Sequence, residues 1–230
     1  GRPLARLLGL PRGERRQRVA ALLRSVNLPE SYAQRLPEEL SGGEKQRVAI
    51  ARAFAADPEL VICDEPVSAL DVSVQGALLN LLNELQASRG TSYLFISHDL
   101  AAVRYLSDYI AVVYLGRLWE VGTAAEVFAP PYHPYAEALL SAIPVPDPDA
   151  HQQRIRLEGR VPSAVDVPSG CRFHTRCPRR LGEICENEEP PWRQASASHR
   201  ICCHIELGEL RRLQTPVITR AERPEVAPDA

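Results

Sequence analysis

Four consecutive apolar residues, Leu60-Val61-Ile62-Cys63, run directly into two acids, Asp64 and Glu65. A run that short, closed that abruptly, suits a fully buried strand whose charged end emerges at the edge of a sheet. Val72 to Ala87 then carries Val74, Leu78, Leu81 and Leu85 on one helical face, and Tyr93-Leu94-Phe95-Ile96 is a second buried-strand run. Strand, helix, strand is the pattern of an α/β sheet, in which ligands bind beyond the C-terminal strand ends. Around this unit, Ser41 to Ala56 reads as a helix, with Ser41 and Glu44 at capping-box spacing and Asp57-Pro58 as its stop. Ile110 to Leu115, a turn at Gly116 and Arg117 to Val121 read as a hairpin, and Thr123 with Glu126 caps a further helix.

The chain has 230 residues, 45% of them hydrophobic, with a net charge of −2. That length suits one large domain or two small ones, and the charge argues against a chain-wide nucleic-acid surface. The longest apolar run, Tyr109 to Leu115, is strand-sized and far short of a membrane span. The N-terminus lacks the apolar stretch of a secretory signal. The sequence contains no Met, so Gly1 is not expected to be a native start. Its one lysine, Lys45, sits in Glu-Lys-Gln, so no Gly-Lys-Ser/Thr phosphate loop occurs within these residues.

Five segments are expected. Residues 1–40 are helical and basic: seven arginines face one acid, Glu14, in the first 24, and Val19, Leu22, Leu23 and Val26 make an apolar face. Residues 41–130 hold the α/β core. Residues 131–150 are a proline-rich linker, with Pro144, Pro146 and Pro148 beyond a helix at Tyr135 to Ala142. Residues 151–205 form a cysteine-bearing module, and 206–230 a polar tail expected to fray.

Chemistry concentrates at four places. Leu40-Ser41-Gly42-Gly43-Glu44 puts two glycines at a helix start, where unpaired N–H groups and the helix dipole favour an anion. Asp64 suits Mg²⁺ held through water, and Glu65 is placed to polarise a water for attack on a γ-phosphate. Ser68-Ala69-Leu70-Asp71 follows, and Ser97-His98-Asp99 comes after the second strand.

This ordered set resembles the ATP-binding subunits of ABC transporters. The resemblance implies that Ser41, Gly42, Gly43 and Glu44 form the signature, with Glu44 where glutamine is commonest. It makes Asp64 the end of the Walker B strand, Glu65 the catalytic glutamate, Ser68 to Asp71 the D-loop and His98 the switch histidine at the γ-phosphate. It further implies that 1–40 is the end of a helical subdomain docking on membrane-spanning partners. The signature would face a nucleotide held by the P-loop of a second nucleotide-binding domain. The P-loop, adenine-stacking aromatic and Q-loop of the family are absent here, so the chain by itself is expected neither to bind ATP tightly nor to hydrolyse it.

Five cysteines lie near the end: Cys171, Cys177, Cys185 and the pair Cys202-Cys203. Disulfides are disfavoured in a reducing compartment. Spacing alone leaves zinc, with His174, His199 and His204 as further ligands, level with a [4Fe–4S] cluster. Tyr132 to Ile143, Gly170 to Pro178 and His199 to His204 resemble the C-terminal extension of oligopeptide/dipeptide importer ATPases. That resemblance implies a [4Fe–4S] cluster on Cys171, Cys177, Cys185 and Cys203. The implied protein works at the cytoplasmic face of the inner membrane with permease subunits and, indirectly, a substrate-binding protein. The rival reading is a non-transport ABC ATPase whose zinc module grips nucleic acid or ribosomes; the importer-like ending argues against it.

Overall fold

The structure, a computed structural model, describes residues 2–6, 8–68, 70–144 and 154–216. The chain divides into two compact units, 1–106 and 107–230.

In the first unit, α1 (Arg2–Arg6) and α2 (Arg12–Ser25) precede two 3₁₀ turns, Glu30–Gln34 and Pro37–Glu39. Next come α3 (Gly42–Ala53), β1 (Leu60–Asp64), α4 (Val72–Arg89), β2 (Ser92–Ile96) and α5 (Leu100–Leu106). The apolar face read on residues 19–26 is real: Leu22, Leu23 and Val26 are buried together with Ile50, Phe54, Leu78, Leu81 and Leu82 in one core. Helix α4 starts at Asp71, whose carboxylate accepts from Val74 N–H at 3.0 Å, and stops at Gly90, whose φ of +66° ends the helix without steric cost.

Strands β1 and β2 pair in parallel, Leu60 beside Ser92 through to Asp64 beside Ile96. The expectation that both are fully buried does not hold. Val61 and Cys63 are buried, but Ile62 is 63% exposed and Leu94 52%. The reason is geometric. Alternate side chains leave a strand on opposite faces, and among the described residues this two-stranded sheet packs only one face on the core.

The second unit contains β3 (Tyr109–Tyr114), β4 (Arg117–Thr123), α6 (Ala124–Val127), α7 (Pro134–Leu140), α8 (Glu183–Asn187), β5 (Trp192–Gln194), β6 (Arg200–Cys202) and α9 (Leu207–Leu213). Its antiparallel sheet runs β3-β4-β6-β5, with Glu120 opposite Ile201. Compactness therefore does not divide near residue 130. The hairpin read as the end of the α/β core shares its sheet with the strands of the cysteine module. Residues 145–150 of the linker and 217–230 of the tail lie outside the described residues. No helix among the described residues is long and apolar enough to cross a membrane.

Candidate functional site

Parallel pairing of β1 and β2 brings their C-terminal ends together, and the acids after β1 meet the histidine after β2. The Glu65 backbone N–H donates to the Ile96 carbonyl at 2.9 Å. Glu65 itself adopts a left-handed φ of +46°, a conformation that non-glycine residues seldom hold and that concentrates at functional sites. Its carbonyl accepts from Ser68 Oγ at 3.1 Å, closing the turn.

This backbone turn aims the Glu65 carboxylate at the imidazole: His98 Nδ1 donates to Glu65 Oε1 at 2.8 Å. The shared hydrogen bond holds the Glu65 carboxyl below the usual range and raises the His98 imidazole above its ordinary value. Both groups are exposed, His98 by 73% and Glu65 by 45% of their side chains. Roles assigned separately to Glu65 and His98 from the sequence thus sit on one hydrogen bond. Asp64, exposed on the last position of β1, has a carboxylate with no partner among the described residues, which is the state suited to a water-mediated divalent cation. Asp71 is engaged as the α4 cap, also accepting from Ser73 Oγ at 2.8 Å.

The α3 start has the expected capping box. Ser41 N–H donates to Glu44 Oε2 at 2.7 Å, and Glu44 N–H donates to Ser41 Oγ at 3.3 Å. Sequence reading missed the third partner: Tyr32 Oη donates to Glu44 Oε1 at 2.6 Å. Tyr32 first, then Ser41, pulls the Glu44 carboxyl down to about 2. The glycines allow a close approach of a different kind: a Cβ at Gly43 would fall 2.9 Å from Val74 Cγ1, whereas one at Gly42 would meet only Leu70 Cδ2 at 3.7 Å. Residues 41–44 therefore pack on the 70–74 segment that opens α4.

In the second unit, the segments bearing cysteine converge without forming disulfides; all six cysteines are free. Cys171 N–H donates to the Cys185 carbonyl at 2.9 Å. A Cβ on Gly170, whose φ is +58°, would fall 2.7 Å from that same carbonyl oxygen. Burial pushes the Cys171 thiol up to about 11 and those of Cys177 and Cys203 to about 12. The neighbouring Cys202 thiol donates to the Pro190 carbonyl at 3.2 Å. The three histidines kept as zinc ligands have other bonds: His199 Nε2 to Glu120 at 2.7 Å, His174 Nδ1 to the Cys171 carbonyl and His204 Nε2 to the Glu188 carbonyl. Among the described residues, no group of three or more His, Cys, Asp or Glu side chains is arranged to hold a metal ion. The donor chemistry fits a thiolate-bound cluster, but the side-chain placement does not.

Sequence reading also missed Glu120, fully buried and accepting from the His133 N–H at 2.8 Å as well as binding His199. A glutamate inside the Trp119–Val121 apolar run was the available signal. Cys63 is buried and its thiol is raised to about 11.

Residues 4–68 match the family model described as ABC transporter, and residues 119–185 match that of the oligopeptide/dipeptide transporter, C-terminal region. The chain is similar to ABC transporter proteins over both of these segments. Among similar proteins, the oligopeptide transport ATP-binding protein AppF of Bacillus subtilis is 47% identical over 194 residues, covering 84% of this chain and 59% of AppF. A probable peptide ABC transporter ATP-binding protein, y4tS of Sinorhizobium fredii, is 48% identical over 196 residues, covering 85% of this chain and 55% of the relative. The chain thus spans somewhat more than half the length of these ABC relatives. A solved structure, the post-hydrolysis ATP-binding cassette MJ0796 bound to ADP and Pi, aligns over 50% of this chain and 49% of its own at 32% identity, with a TM-score of 0.45.

Proposed function

We propose that this chain is part of an ATP-hydrolysing subunit that powers import of oligopeptides or dipeptides. The observation that carries the reading is the His98–Glu65 hydrogen bond at the joined ends of β1 and β2, in a chain whose relatives are named peptide transport ATP-binding proteins.

In this reading Glu65 orients and polarises the water that attacks the γ-phosphate. His98 fixes the Glu65 carboxylate and reaches the phosphate when nucleotide enters. A carboxylate held ionised is a competent acceptor for the proton of that water. Asp64 would hold Mg²⁺ through water, and the ion would neutralise phosphate charge. Ser41, Gly42 and Gly43 offer their helix start to a nucleotide carried by a second nucleotide-binding domain, which supplies the P-loop. Ser68 and Asp71 shape the intervening turn. Without that P-loop these 230 residues are inactive.

Permease subunits take up the closing and opening of the two domains, and a substrate-binding protein delivers the peptide; the subunit sits peripherally at the cytoplasmic face of the inner membrane. Cys171, Cys177, Cys185 and Cys203 are read as holders of a [4Fe–4S] cluster on the likeness of 170–178 and 199–204 to the importer extension alone, since the side chains as placed form no metal-binding group among the described residues. No step of hydrolysis is routed through it.

The test is Glu65→Gln in the full-length protein assembled with its permease. ATP binding is expected to persist while turnover falls by about 10²–10⁴-fold. Turnover near the wild-type rate would remove Glu65 from the reaction.

A further inference from the structure

Glu44 presents a difficulty for that reading. It places an ionised carboxylate on the turn of helix where a phosphate is to be received, and like charges there oppose binding. The structure resolves the conflict with one residue inside the motif, Ser41, and one outside it, Tyr32. Both carboxylate oxygens are turned back onto the protein: Oε2 takes the Ser41 N–H at 2.7 Å, and Oε1 takes the Tyr32 hydroxyl at 2.6 Å. Tyr32 comes from the 3₁₀ turn Glu30–Gln34, twelve residues upstream, and is itself fixed from both sides. Its ring packs against the core that holds α2 and α3, and the Arg35 guanidinium stacks over it at 3.8 Å from the ring centre.

We propose that Tyr32 is a positioning residue for the nucleotide-facing start of α3. Its hydroxyl ties the Glu44 carboxylate back to the helix cap and keeps that charge off the Gly42-Gly43 turn. The 3₁₀ turn at 30–34 thereby sets the affinity of a site whose motif begins at residue 40. The inference rests on the nucleotide role of α3 given above.

Tyr32→Phe is the appropriate probe, because it keeps the ring, its core packing and the Arg35 stack while deleting only the hydroxyl. In the full-length protein assembled with its permease, Tyr32→Phe is expected to raise KM for ATP about five-fold, the effect of one charge at contact range in water, with kcat little changed. The defect should shrink as salt is raised from 0.05 to about 0.5 M, since Glu44 is only half-buried and remains open to screening. The deciding variant is Tyr32→Phe combined with Glu44→Gln. A neutral glutamine has no charge to restrain, so KM should return to that of Glu44→Gln alone. An unchanged KM in Tyr32→Phe, or a defect that persists in the double variant, overturns the proposal. Wild-type turnover measured alongside separates the two layers: its absence overturns the nucleotide reading, and this inference with it.

Discussion

His98 Nδ1 stands 2.8 Å from Glu65 Oε1 although 33 residues separate them in the chain. Each shifts the other: the pair holds Glu65 low and His98 high. A raised histidine contributes fully below its unfolded value near 6.5 and loses that contribution as pH climbs through its folded value. A lowered carboxylate contributes above its unfolded value near 4.5 and loses it as pH falls through its folded value. The paired state therefore spans the interval from below 4.5 to above 6.5. An NMR titration of the His98 ring should give a midpoint above 6.5 that moves back toward it in Glu65→Gln. An identical midpoint in both proteins would show that the contact does not persist in solution.

Gly43 and Gly42 separate packing from helix propensity. Alanine is the better helix former by about 1 kcal/mol. At Gly42 its methyl would make an ordinary contact at 3.7 Å, so Gly42→Ala should leave the melting temperature unchanged or raise it. At Gly43 the methyl would lie 2.9 Å from Val74 Cγ1, and valine is stiff at χ1. Gly43→Ala should cost about 1–3 kcal/mol, read as a lower melting temperature. Equal melting of the two variants would mean that α3 and the start of α4 do not pack this closely.

The local signals in residues 41–71 were legible because they act within a few residues. Ser41 caps the helix that its spacing with Glu44 announced, and the acids after Cys63 do end a strand. Tyr32 was not legible, because nothing in Glu-Ser-Tyr-Ala says that a 3₁₀ turn will bring its hydroxyl to Glu44. Glu120 and His199 were hidden for the same reason: 79 residues separate them, and only the register of β4 with β6 joins them. The exposure of Ile62 and Leu94 escaped because apolarity reports what a strand prefers to pack against, not whether both faces are covered here.

Glu120 is fully buried, and burial raises its carboxyl above the usual range. Glu120→Ala would strand both His199 and the His133 N–H without an acceptor, a loss of about 3–5 kcal/mol. Glu120→Gln keeps an acceptor for one of them and should cost less. Because the carboxyl is raised, ionising it opposes folding, so wild type should lose stability relative to Glu120→Gln as pH rises from 4.5 toward the folded value. Parallel pH profiles for the two proteins would contradict this assignment.

The cysteine reading is checked by iron, acid-labile sulfide and zinc analysis of protein purified without oxygen. About four iron and four sulfide per chain are expected for a [4Fe–4S] centre, with loss of both in Cys177→Ser. Gly170→Ala should abolish them too, since its methyl would collide with the Cys185 and Glu186 backbone at 2.7 and 2.8 Å. Zinc alone would replace the cluster, and no metal would remove it.

Strand β6 lies against β4 and covers an edge of the hairpin that would otherwise present unpaired N–H and C=O groups. Trp119, buried completely beside Phe173 and Cys202, depends on the same cover. A protease cut or stop codon behind α6 would thus uncover a sticky β-edge and an indole together. The shortened product should aggregate rather than survive in trimmed form. The cysteine-bearing ending, whatever it binds, cannot be an accessory that evolution could discard without first rebuilding β4.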